Sequence, residues 1–69
     1  MENSFCEVIK TLRLGSSMTQ KQVAEKIGVL PQTYQSYEVG TITPSLERFI
    51  DLAELFDVSL DYLIGRKEY

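Results

Sequence analysis

The chain has 69 residues, 43% of them hydrophobic and 25% charged, a globular balance that supports one small core and leaves no room for a large catalytic cleft. Seven Lys plus Arg against ten Asp plus Glu give a formal charge of −3, which taken as a whole argues against an electrostatically driven nucleic-acid partner. One cysteine and no histidine exclude an internal disulfide, a His-based catalytic triad and a His-containing zinc site. An enzyme is not expected, and neither a cofactor nor a metal is implied.

No charged-then-apolar leader is legible, and no apolar run approaches the ~20 residues that span a bilayer. A cytoplasmic protein with no membrane partner is therefore expected. The pattern predicts a single all-α domain over residues 1–69, with its core at about 5–65 and a polar tail at 66–69. In the first helix Ser4 and Glu7 form a capping box, Phe5, Ile9 and Leu12 make the apolar stripe, and Gly15 stops the helix after about Leu14 by turning left-handed.

Thr19 and Gln22 make a second capping box, followed by Val23, Ala24 and Ile27 as the inward face of a short helix ending at Gly28. Pro31 opens a third helix over roughly Pro31 to Glu38, with Tyr34 and Tyr37 inward and Gly40 as its stop. Ser45 caps a fourth helix to about Phe56, with Leu46, Phe49, Ile50, Ala53 and Phe56 on one wide apolar face and Glu47, Asp51 and Glu54 outside. Ser59 opens a last helix from Leu60 to Ile64, and Gly65 stops it.

The second and third helices carry the distinctive pattern. Ala24 lets two helices cross closely, and Gly28 supplies a positive φ for the turn. Val23, Ile27, Val29, Tyr34 and Tyr37 lock the second helix of the pair at a fixed angle. This is helix-turn-helix geometry, and its outer face carries Gln32, Thr33, Gln35 and Ser36, short polar groups suited to base edges.

From about Phe5 to Gly65 the sequence resembles the Cro and phage-repressor (XRE-type) helix-turn-helix family. The resemblance rests on five strings in order: Met18-Thr19-Gln20, Val23-Ala24-Glu25-Lys26-Ile27-Gly28-Val29, Tyr37-Glu38-Val39-Gly40, Pro44-Ser45-Leu46-Glu47 and Val58-Ser59-Leu60-Asp61-Tyr62-Leu63-Ile64-Gly65. It implies a compact five-helix, lambda-repressor-like domain that binds double-stranded DNA, usually as a homodimer on a palindromic operator, with no small-molecule ligand. It also implies that Gln20 meets a backbone phosphate at a helix N-terminus, with Lys21 beside it. Gln32, Thr33, Gln35 and Ser36 align with positions facing the major groove, and Arg13 and Glu38 with a structural ion pair.

The sequence departs from the family pattern at several places. Leu30 stands where a Ser or Thr cap is usual, and Pro31 offers a base edge only apolar contact, such as to a thymine methyl. Val39 replaces a common Asn. Thr41-Ile42-Thr43 replaces a loop rich in Lys and Arg, so the hydroxyls of Thr41 and Thr43 and nearby backbone N–H groups are left to grip phosphate. Asp57 replaces a Gly, a change Asp tolerates in the left-handed region. Tyr62, Leu63 and Ile64 pack on the core or form part of a dimer seam, with core the favoured reading.

The expected function is a sequence-specific transcriptional regulator, a repressor acting by occupancy. The alternative is a protein-interaction module of the same fold with little DNA affinity. The acidity is localised: through Gly40, Lys10, Arg13, Lys21 and Lys26 balance Glu2, Glu7, Glu25 and Glu38, and the whole excess of negative charge follows Thr41. The resemblance turns that acidic half largely away from DNA, so polar and shape contacts are expected to dominate binding.

Overall fold

A computed structural model describes residues 5–64; the expected Ser4 capping box, the Gly65 stop and the 66–69 tail lie outside them. The described residues form α1 (Phe5–Gly15), α2 (Gln20–Ile27), α3 (Pro31–Val39), α4 (Leu46–Phe56) and α5 (Leu60–Leu63), with no strand among them. The all-α architecture expected from the apolar periodicity is thus present.

Local chemistry sets most of the boundaries. Thr19 accepts from the Gln22 N–H while the Gln22 side chain accepts from the Thr19 N–H, the reciprocal cap that its sequence spacing implies. Ser45 and Ser59 accept from the N–H groups of Arg48 and Tyr62 in the same way, fixing the starts of α4 and α5. Gly28 at φ +79° and Gly40 at φ +98° close α2 and α3 in the left-handed region. Asp57 does so for α4 at φ 57°, in keeping with the tolerance expected of Asp.

Gly15 departs from its expected role. It remains inside α1, and the left-handed residue is Ser17, at φ 59°. The Ser16 N–H donates to Leu12 and Arg13 carbonyls and the Met18 N–H to the Arg13 carbonyl. These bonds satisfy the helix end without a turn at Gly15.

The core joins Val8 and Ile9 of α1, Val23, Ala24 and Ile27 of α2, Tyr34 and Tyr37 of α3, Leu52 and Ala53 of α4, and Leu63 of α5. Phe5 meets Phe49 edge to face, with centroids 5.3 Å apart, and Tyr34 meets Tyr37 likewise at 6.1 Å. Ala24 is fully buried, as close packing of α2 on α3 requires. Leu63 belongs to the core, whereas Ile64 stays partly exposed.

The α4 face needs correcting. Leu46 is 66% exposed and Ile50 is 42% exposed, while Leu52 is fully buried. Apolar residues lie on two sides of this helix. The side that meets the core carries Phe49, Leu52, Ala53 and Phe56, so the apolar stripe expected from the sequence was rotated by part of a turn.

Candidate nucleic-acid interface

A polar network of four side chains and the Met18 carbonyl fixes α3 against the rest of the molecule. The Glu38 carboxylate accepts from Arg13 Nε at 2.7 Å and from Arg13 Nη2 at 3.2 Å, and Arg13 Nη1 donates to the Met18 carbonyl at 3.0 Å. Tyr34 donates its hydroxyl to the same carboxylate, and Gln20 Nε2 donates to it at 3.0 Å. The side chains of Arg13 and Glu38 are only 12% and 4% exposed. The ion pair implied by the resemblance is therefore present and largely buried, not an exposed surface pair.

Burial pushes the Glu38 carboxyl up, but hydrogen bonds from Arg13, Tyr34 and Gln20 outweigh it and hold the group below its ordinary value. The bond to Glu38 raises Arg13, and burial, then the bond to Glu38, raises Tyr34. All three groups keep their pH 7 protonation states: a carboxylate accepting from three donor residues, with no proton to give.

With α3 locked inward through Tyr34, Tyr37 and Glu38, its outer side carries the expected polar set. Gln32 and Gln35 are exposed, and Thr33 and Ser36 are half-buried beside them. The two glutamines present amides that both donate and accept. Ser36 donates its hydroxyl to the Gln32 carbonyl at 3.0 Å, so toward a partner it offers lone pairs rather than a proton. Pro31 is exposed at the head of the helix, and Leu30 makes no side-chain cap.

At the start of α2 the Thr19 and Gln22 cap leaves the N–H groups of Gln20 and Lys21 without intrahelical acceptors. Lys21 is exposed beside them. This is a helix end suited to a phosphate oxygen. Gln20 is half-buried, and one of its amide hydrogens is spent on Glu38. The second hydrogen of that nitrogen is the one suited to a phosphate.

Thr41 and Thr43 are exposed, as a surface role requires. The backbone contribution expected beside them is reduced, because the N–H groups of Gly40, Thr41 and Ile42 all turn back to the Ser36 carbonyl at 2.9, 3.1 and 3.4 Å. The left-handed Gly40 folds the chain over the end of α3, and these donors close the helix. The two threonine hydroxyls are left.

Two of the departures noted in the sequence prove to be exposed apolar residues on or beside α3. Val39, 66% exposed, continues the outer stripe of Gln32 and Gln35 at helical spacing. Leu30, 67% exposed, stands immediately ahead of α3. Among the described residues there is no cluster of His, Cys, Asp and Glu arranged to hold a metal, and no helix long and apolar enough to cross a membrane.

Five helices with α2 and α3 locked across a glycine turn define a helix-turn-helix protein, and comparison with known proteins agrees. The helix-turn-helix family model matches residues 9–63. The chain belongs to the Cro and phage-repressor (XRE-type) helix-turn-helix family. It is 39% identical over 61 residues to the HTH-type transcriptional regulator YobD of Bacillus subtilis, covering 88% of this chain and 54% of that protein. It is 38% identical over 64 residues to the cryptic phage CTXphi transcriptional repressor RstR of Vibrio cholerae, covering 93% and 58%. The chain thus spans little more than half the length of these relatives. Its fold is that of the P22 c2 repressor, solved in complex with a synthetic operator, at a TM-score of 0.88, 22% identity and coverage of 94% and 98%.

Proposed function

We propose that this chain is a sequence-specific DNA-binding transcriptional regulator, a repressor that occupies a palindromic operator as a homodimer and lays α3 in successive major grooves about one helical turn apart. The observation that carries this reading is the outer face of α3. Gln32 and Gln35 stand exposed on a helix whose inner side is anchored by Tyr34, Tyr37 and the Arg13–Glu38 pair. A rigid helix presenting amides is what bidentate readout of adenine N7 and N6 requires. The repressor role is supported by the name of RstR.

Phosphate contacts would come from Lys21, the second Gln20 amide hydrogen and the free α2 N–H groups on one side, and from Thr41 and Thr43 on the other. The exposed pair Leu46 and Ile50, one turn apart on α4, is the apolar surface a two-fold seam would cover. Residues 5–64 would then act as one reading unit within the 1–69 domain, in a cytoplasmic protein that needs no cofactor.

A binding selection against random duplex DNA at low and moderate salt tests the proposal. An enriched palindrome supports it. Absence of enrichment at either salt concentration, with capture of a protein partner instead, would favour the interaction-module reading, to which the cation-free loop Thr41-Ile42-Thr43 lends its support.

A further inference from the structure

We infer that Leu30 is a specificity-determining residue that, with Pro31, forms an apolar tip reading thymine C5-methyl groups in the major groove. The inference rests on the proposal that α3 is the reading helix. Leu30 is 67% exposed, although it is a large apolar residue in a chain with a small core. It occupies the N-cap of α3 with extended backbone, φ −71° and ψ 149°, and makes no side-chain hydrogen bond to the helix start. Pro31 follows at the first helical position and brings no N–H.

The head of this helix is thus made of two adjacent apolar side chains, where a Ser, Thr, Asp or Asn would both cap the helix and be better solvated. Neither local stability nor core packing accounts for leucine here. A reading helix enters the major groove with its N-terminal residues against the bases, so residue 30 is at its leading end. On the floor of that groove the apolar group of the four bases is the thymine methyl. An isobutyl side chain beside a pyrrolidine ring can cover such a methyl and exclude water from it, which discriminates thymine from cytosine without any hydrogen bond. The neighbouring glutamines then read donor and acceptor patterns further along.

The test uses the duplex enriched by selection with the full chain. Each thymine is replaced in turn by deoxyuridine, which removes the methyl and keeps every hydrogen-bonding group. The expected result is one position per half-site at which wild-type affinity falls about fourfold, the equivalent of one buried methyl group. The same substitution should cost Leu30→Ser clearly less, since only Pro31 then remains at the tip, and that variant is expected to melt at least as high as the wild type because serine restores a cap. A loss that is equal in wild type and Leu30→Ser, or no loss at any thymine, overturns the inference while leaving an operator-binding protein. Failure to enrich any duplex overturns it together with the reading on which it rests.

Discussion

Gln20 Nε2 donates to Glu38 Oε1 across 3.0 Å, joining the first turn of α2 to the last turn of α3. The same carboxylate holds Arg13 of α1, and Arg13 in turn holds the carbonyl of Met18 in the connection between α1 and α2. One acidic side chain therefore ties the helix end suited to phosphate to the helix suited to bases. The relative position of the two is what a sequence reader must keep constant, because a shift in the backbone anchor displaces every base contact.

Removing Arg13 should be costly. Arg13→Ala leaves a carboxylate that is 4% exposed without its cation, a loss on the order of 3–5 kcal/mol. In a domain of this size that lowers the melting temperature by roughly 4–8 °C per kcal/mol. Circular dichroism melting reads it directly, and a variant that melts with the wild type would show that the pair is no strut. Arg13→Lys, which keeps the charge and loses the fork, should fall between the two.

Acid should loosen the same network. Glu38 is held below its ordinary value of 4.5 in the folded state, so its contribution to stability is complete above about pH 4.5. It is lost as the pH falls through the lower, folded value. Urea midpoints measured from pH 7 to pH 3 should converge for the wild type and Glu38→Gln as the wild type loses the charge that the variant never had. Midpoints separated by a constant interval across that range would contradict this assignment.

Gly15 and Gly40, at the ends of α1 and α3, should respond in opposite ways to one substitution. Gly40 sits at φ +98°, and a Cβ there would lie 3.2 Å from Cys6 Sγ. Gly40→Ala should therefore cost about 1–3 kcal/mol. Gly15 is helical with nothing near its absent Cβ, so Gly15→Ala should be neutral or stabilising, by up to ~1 kcal/mol. Chemical denaturation of the two variants side by side checks the contrast.

Leu30→Ser should stabilise the fold. It supplies the side-chain acceptor that α3 lacks, a gain of roughly 0.5–2 kcal/mol. A higher denaturation midpoint is the expected result. An unchanged midpoint would mean that the uncapped N–H groups are already well satisfied by water.

Much of this molecule was legible in the sequence because its signals are local. Thr19, Ser45 and Ser59 cap helices within three residues of themselves, and Gly28 and Gly40 end them for reasons of backbone geometry alone. The rest depended on which neighbours arrived. On α4, Leu46 and Ile50 fit an apolar stripe as well as Leu52 does, and only the packing of the other helices buries Leu52. The Arg13–Glu38 pair was reached through family resemblance, but the addition of Gln20 to it spans 18 positions of sequence and had no local trace. The return of the Thr41 and Ile42 N–H groups to Ser36 likewise follows from the left-handed turn at Gly40 once its hand is known.

The central claim is that the outer face of α3 reads base edges, and the most direct test compares three variants with the wild type in the same duplex selection. Gln35→Ala should relax the preference at one operator position and leave the others intact, whereas Lys21→Ala should weaken all sequences alike and reduce the salt slope by about 1. An operator motif left unchanged by Gln35→Ala and Gln32→Ala alike would contradict the account, because the readout would then lie elsewhere than on α3.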